Sequence, residues 1–286
     1  MNVVTTRAAV REAVARLRTG AEPSRGARIA LVPTMGSLHE GHLSLVDRAR
    51  ERADHVVLSI FVNPLQFGPG EDFERYPRDA ERDLRLAEAR GVDVVFLPEA
   101  GEMYPAGAPA VQIVPMRLAD RLCGAFRPGH FQGVLTVVAK LFHVVQPDVA
   151  VFGQKDYQQA LLVQRMVQDL DFPIEIEVAP IVRESDGLAM SSRNVYLEPE
   201  ARASASSLWR GLRSAAEAFG AGERDAARLR RLVLESLGAE PGIRPQYVEL
   251  VHPTTLEPLE EAEPGAVLAA AVFVGETRLI DNVILQ

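Results

Sequence analysis

With 286 residues, 31 of them basic against 39 acidic and a net charge of −8, the chain carries no electrostatic footprint for general nucleic-acid binding, and its length favours one large domain plus a smaller one. The longest apolar run, Ala266 to Val274, falls far short of the roughly 20 residues of a membrane helix. The N-terminus has no continuous apolar region of signal-peptide type, so no membrane association and a cytoplasmic protein are expected. One cysteine, Cys123, leaves no disulfide framework and no multi-thiolate metal site.

In chain order, the first strand signal is "RIALVP", which runs straight into "PTMGSLHEGH" and the helical stretch "HLSLVDRARERAD". Ser37 and Glu40 fit the capping-box pattern, with the first turn starting there or nearer Gly41. A helix start presents unpaired amides and positive partial charge, which suits a phosphate. Gly36 and Gly41 allow close backbone approach, and His39 and His42, three apart, can face one ligand. The alternative is two structural histidines. A zinc-protease helix needs its histidines four apart, so the metal reading is weak.

"HVVLSIFV" reads as the second strand, followed by the polar loop "FVNPLQFGPGEDFERYP". Asn63 and Gln66 are neutral amides able to fix a hydroxyl or carboxylate, with turn chemistry the competing role for Asn63. Its Gly/Pro-rich part, residues 67–77, is a lid candidate. A helix, "DAERDLRLAEARG", and a third strand, "VDVVFLP", come next. "RPGHFQGV" then places Arg127 and His130 before the helix "GVLTVVAKLFHVV", as substrate contacts or as loop structure.

"DVAVFG" is a fourth strand, leading through "FGQKDYQQ" to the helix "DYQQALLVQRMVQDL" and the strand "IEIEVAPIV". Asp156 is a plausible N-cap there, and Gln159 lies about a turn into the helix. Only Lys140 and Lys155 among the 31 basic residues are lysine. A chain that uses Arg elsewhere retains lysine where Arg does not serve; Lys140, in a helical run, suits a packing role, and Lys155, in a polar turn, suits a functional one. Continuous β-branched strands alternating with helices argue for an α/β domain with a doubly wound parallel sheet, spanning 1–183. His55, His143 and His252 sit beside apolar runs and read as packing residues.

Beyond Arg183 the order changes. "GLAMSSRN" offers hydroxyls and a guanidinium suited to a polyphosphate. Two helices, over 199–222 and 223–238, then precede the strands "PQYVELV", "AVLAAAVFV" and "TRLIDNVIL". Helices followed by strands imply a second, smaller α+β domain over 184–286.

Taken together, "PTMGSLHEGH", "FVNPLQF", "RPGHFQGV", "FGQKDYQQ" and "GLAMSSRN" resemble, in this order, the pantothenate synthetase (pantoate–β-alanine ligase) family of the H-x-G-H nucleotidyltransferase superfamily. The resemblance runs from about Ile29 to the closing "RLIDN". It implies a Rossmann-like fold and a reaction in which the carboxylate of pantoate attacks the α-phosphate of ATP and the amine of β-alanine then takes the acyl group, with Mg²⁺ accompanying ATP. By the same resemblance, Met35, Gly36, Ser37, Leu38, His39, Glu40, Gly41 and His42 line the ATP site, with His42 as proton donor. Gly153, Gln154, Lys155, Asp156, Val182, Met190, Ser191, Ser192 and Arg193 complete that site, with Lys155 on the phosphates. Gln66 and Gln159 hold pantoate, and a homodimer is implied. Gln154 stands where many members have Glu. "AMSSRN" matches the K-M-S-K-S loop of class I aminoacyl-tRNA synthetases in position more than in letters. A nucleotidyltransferase that keeps the nucleotide on its product, and a non-catalytic nucleotide-binding module, are the competing expectations.

Overall fold

A computed structural model describes residues 1–19 and 26–286. The first part of the chain runs β1 (Asn2–Val4), α1 (Arg7–Thr19), β2 (Ile29–Thr34), α2 (Glu40–Arg52), β3 (His55–Ile60), α3 (Ala80–Ala89), β4 (Val94–Phe96) and α4 (Ala100–Met103). It continues through α5 (Leu122–Phe126), α6 (His130–Val145), β5 (Val149–Gly153), α7 (Tyr157–Asp169) and β6 (Glu175–Ala179). The remainder is α8 (Pro199–Ala205), α9 (Ser207–Gly220), α10 (Ala226–Gly238), β7 (Ile243–Val251), β8 (Val267–Val274) and β9 (Thr277–Ile284).

Two compact units emerge. The first comprises Met1–Arg117, Arg127–Gly153 and Gln159–Pro180. Its six-stranded sheet has the order β1-β4-β3-β2-β5-β6, and every pairing is parallel. β2 and β5 are buried along almost their whole length, which is why their sequences read as continuous apolar runs rather than alternating ones. From β2 the chain moves to β3 and β4 on one side, and later to β5 and β6 on the other. The order therefore reverses between β2 and β5, and the carboxyl ends of those strands form the crevice where such sheets bind ligands.

β1 and α1 were not among the expected elements. β1 is a three-residue edge strand, largely exposed, and a strand that short carries no periodic signal.

The second unit comprises Leu118–Phe126, Gln154–Gln158 and Ile181–Gln286. Its antiparallel sheet, β7-β8-β9, packs with α9 and α10 around Leu208, Leu212, Leu229, Leu237, Leu250 and Leu268. The single helix expected over 199–222 is instead two, parted at Ser206. The Ser206 hydroxyl donates to the Ala203 carbonyl at 2.9 Å, the local side-chain competition by which serine interrupts helices. Among the described residues no helix is long and apolar enough to cross a membrane.

Candidate active site

β2 delivers its last residue, Thr34, to the crevice, and the chain then turns sharply. Gly36 has φ 79° and Ser37 φ 51°, the left-handed region that glycine enters freely and serine rarely. An acidic clamp holds this turn. Asp83 of α3, 1 % exposed, accepts from the Ser37 and Leu38 amides at 2.7 Å each, and Arg82 donates to the Leu38 carbonyl at 2.9 Å. A Cβ at Gly36 would lie 2.9 Å from the Asp83 carboxylate, so glycine is required there by space as well as by dihedral.

The clamp corrects the capping-box expectation. The Ser37 amide is taken by Asp83, the N-cap of α2 is His39, and Glu40 pairs with Arg90. His39 and His42 lie at the cap and in the first turn of α2, their rings stacked with centroids 4.0 Å apart. Glu40 and Gly41 lie between them, and both residues are partly exposed at the positive end of the helix.

β3 supplies the second group. Asn63 caps the short 3₁₀ turn Pro64–Gln66 by accepting from the Leu65 amide at 3.3 Å. It also accepts from the Tyr104 hydroxyl at 2.8 Å and donates to the Gly133 carbonyl at 3.1 Å and to Gln66 Oε1 at 3.0 Å. Those four bonds use the hydrogen-bonding capacity of its amide, so the turn role of Asn63 is realised. Burial pushes the Tyr104 hydroxyl far above the ordinary tyrosine value, keeping it a donor. With Oε1 engaged, Gln66 presents Nε2, which lies 3.1 Å from Met35 Sδ. Gln66 thus faces its surroundings as a donor, suited to a carboxylate or hydroxyl oxygen.

Arg127 and His130 act on the same turn. Arg127 forms a fork with Glu71, at 2.7 and 2.6 Å, and reaches the Gln66 carbonyl at 3.3 Å. His130 Nδ1 donates to that carbonyl at 2.8 Å and Nε2 accepts from Arg127 at 3.0 Å, an arrangement of the neutral Nδ1–H tautomer. Both residues are thus engaged with the Gln66 turn and Glu71. The 67–77 segment is packed on itself, with the Phe67 ring against Phe73 and Tyr76 and Glu71 tied to Arg127.

At the end of β5, Gly153 is followed by a 3₁₀ turn, Gln154–Asp156, that continues directly into α7. Asp156 is therefore inside a helical turn rather than a separate N-cap. Within the second unit, Asn282 of β9 donates to the Gln154 and Lys155 carbonyls at 3.0 and 3.1 Å. Burial holds the Lys155 ammonium below the ordinary lysine value; Asp156 pulls the other way, Arg193 adds to the lowering, and Asp281 opposes it.

Asp281, with a fully buried side chain, takes the Arg183 fork at 2.6 and 3.0 Å, and the guanidinium lies 3.6 Å from the Trp209 ring centre. Val182 accepts from the Met190 amide at 3.0 Å, which draws Val182 and Met190 to Arg193 into one loop. Ser191 caps its last turn, accepting from the Arg193 amide, and Ser192 is buried in it. Gln159 is partly exposed in the first turn of α7.

Asp83, Tyr104, Asp281 and Asn282 were missed as contributors. For Asp83 a signal existed, since it shares a stripe with Leu84 and Ala87 in an otherwise surface-polar helix. Lys140 has the packing role expected of it, its ammonium 5.5 Å from the Tyr104 ring centre. His55 pairs with Asp93, His143 packs on Phe172, and His252 accepts from turn amides.

A family model described as "Pantoate-beta-alanine ligase" matches residues 2–284. A pantothenate synthetase from Moorella thermoacetica is 58% identical over 286 residues, covering 100% of this chain and 99% of that protein. The crystal structure of pantothenate synthetase from Thermus thermophilus superposes with a TM-score of 0.91 at 51% identity, covering 100% and 99% of the two chains. That of the Francisella tularensis pantoate–β-alanine ligase, complexed with "Beta-gamma ATP and Beta-alanine", superposes at 0.80 with 31% identity, covering 99% and 97%. The sheet with its switch point, the clamped histidine turn and a match from end to end agree, and the chain belongs to the pantoate–β-alanine ligase family.

Proposed function

We propose that the chain carries out its family's ATP-dependent condensation of pantoate with β-alanine in two steps, with the residue roles that follow. A pantoate carboxylate oxygen attacks the α-phosphorus of ATP, pyrophosphate leaves, and pantoyl adenylate forms. The β-alanine amine then attacks the acyl carbon, the amide forms, and AMP leaves with the bonding electrons. No enzyme nucleophile is needed, so catalysis rests on positioning and on stabilising charge.

The observation that carries these roles is the stacked His39–His42 pair at the positive end of α2. Charge accumulates on phosphoryl oxygens as the adenylate forms, and two ring N–H groups at a helix start stabilise it. His42 is the proton donor. Met35, Gly36, Ser37, Leu38, Glu40 and Gly41 border the nucleotide, the Ser37 and Leu38 amides themselves being held by Asp83. Lys155 supplies a compact positive charge to the phosphates, and Gly153, Gln154, Asp156, Val182, Met190, Ser191, Ser192 and Arg193 border them. Gln66, presented as a donor, holds a pantoate oxygen together with Gln159. Asn63, Arg127 and His130 serve by fixing the Gln66 turn.

Mg²⁺ accompanies ATP. Among the described residues no group of three or more His, Cys, Asp or Glu side chains is arranged to hold a metal. Bound with ATP, Mg²⁺ would neutralise phosphate charge. The protein acts in the cytoplasm as a homodimer.

The test is a product assay with Mg²⁺, ATP and pantoate, with and without β-alanine. Pyrophosphate and AMP with pantothenate, the last two only when β-alanine is present, are expected. A stable nucleotidyl conjugate would identify the competing transferase, and ATP binding without turnover would leave the non-catalytic module.

A further inference from the structure

Lysine is a flexible carrier of charge, so where its ammonium sits depends on how firmly its backbone is held. In the turn that bears Lys155, two consecutive carbonyls are bound by the same side chain. Asn282 is 2 % exposed, and its Nδ2 spends its two hydrogens on the Gln154 and Lys155 carbonyls, at 3.0 and 3.1 Å. Its Oδ1 accepts from Gln154 Nε2 at 3.1 Å. Because the nitrogen faces two carbonyls, the amide has only one workable orientation, and Oδ1 requires a donor opposite it. Gln154 provides that donor, which an ionised glutamate does not.

Asn282 is itself rigidly placed. It stands in β9, registered against Ala269 of the central strand β8, and its own amide donates to Asp281 Oδ1 at 2.8 Å. The neighbouring Asp281 is locked by Arg183 and faces Lys155 electrostatically. Two consecutive residues of one strand therefore act on Lys155: Asn282 fixes the backbone beneath it, and Asp281 is one of the charges acting on its ammonium, after burial, Asp156 and Arg193.

We infer that Asn282 is a positioning residue of adenylate formation, which fixes the Lys155 turn through its two backbone carbonyls and through Gln154. The inference rests on the role given above to Lys155. It assigns the second unit's sheet a part in the chemistry, not only in folding.

A double-mutant cycle on the full chain tests it, with Asn282→Ala, Lys155→Ala and the pair, measuring single-turnover adenylate formation, the Kd for pantoate and thermal unfolding. Asn282→Ala is expected to slow adenylation about 10- to 100-fold, the scale set by misplacing a catalytic group, with pantoate affinity unchanged. In the Lys155→Ala background the same substitution is expected to cost less than about twofold, because coupled residues are not additive. An equal loss in both backgrounds, or no loss in either, overturns the inference. If Lys155→Ala is as active as the parent, the role of Lys155 itself fails, and that outcome is read from the single variant. Should Asn282→Ala not fold, Gln154→Ala removes the Oδ1 partner from the partly exposed side; a smaller loss that also vanishes without Lys155 is expected, and a loss that persists overturns the inference.

Discussion

Asp83 is a carboxylate nearly withdrawn from water whose purpose is to receive two amides. Burial pushes its carboxyl above the ordinary aspartate value, while the Leu38 and Ser37 N–H bonds pull it down. Only a group with two acceptor oxygens satisfies both donors, so Asp83→Asn turns an NH₂ towards one of them. An unsatisfied buried donor costs about 1–3 kcal/mol. A fall in thermal stability of that size is expected, together with a drop of about 10- to 100-fold in adenylation as the histidine turn shifts. Circular dichroism melts and single-turnover kinetics check it; an Asp83→Asn variant with parental kinetics would show that the clamp does not set the histidines.

Lys155 makes the pH prediction. In the role proposed for it, its charged form stabilises phosphate charge, and burial sets its pKa below the ordinary 10.5, with Arg193 adding to the effect. kcat/KM for ATP, which reports the free enzyme, is therefore expected to fall with rising pH on a limb that lies below 10.5. Lys155→Arg should be slower at neutral pH, since a planar guanidinium does not reproduce an ammonium, and should lack that limb because Arg stays charged. The same shift disfavours folding while Lys155 is protonated, and that cost is relieved as pH rises through its folded pKa towards the unfolded one. An unchanged alkaline limb in Lys155→Arg would assign it to another group.

Between elements, a severe constraint beside the Gln66 turn is Gly133 of α6. A Cβ there would lie 2.2 Å from the Leu65 carbonyl oxygen and 2.7 Å from the Gln66 amide nitrogen, and backbone does not step aside as a side chain does. Gly133→Ala is expected to cost about 1–3 kcal/mol by overpacking and to raise the Kd for pantoate by about tenfold or more, since about 1.4 kcal/mol of lost positioning corresponds to that factor. Titration calorimetry and melts decide it. A variant with parental affinity would separate the Gln66 turn from pantoate binding.

This glycine also shows what the sequence conceals. The histidine junction was legible because strand, turn and helix start are adjacent in the chain. Arg127 and His130 are as basic as substrate ligands would be, and only the fold reveals that Glu71 and the Gln66 carbonyl occupy them. Asp83 drew no reading from the sequence: its stripe with Leu84 and Ala87 marks it as buried but does not report what stands across from it.

For the molecule as a whole, alternating strands and helices disclosed the parallel sheet, whereas the order of its strands was beyond local pattern. The compact units are likewise non-local. Leu118–Phe126 and Gln154–Gln158 belong with the C-terminal unit, and no break in composition marks either segment. The proposed homodimer needs an apolar seam, and one segment offers it. Val111, Val114 and Met116 are 85%, 57% and 89% exposed, an unusual concentration of large apolar side chains within six residues. Burying such side chains contributes about 1.5–3 kcal/mol each, and a two-fold interface repeats every contact. The expected homodimer therefore has its best-placed seam along this segment. Sedimentation equilibrium at micromolar concentration is expected to return twice the chain mass of 31.2 kDa. The double substitution Val111→Asp with Met116→Asp is expected to return the chain mass itself with an unchanged circular dichroism spectrum, because both side chains project into solvent. A parent that sediments at the chain mass would remove the dimer, and a doubly substituted protein that remains dimeric would move the seam elsewhere on the surface.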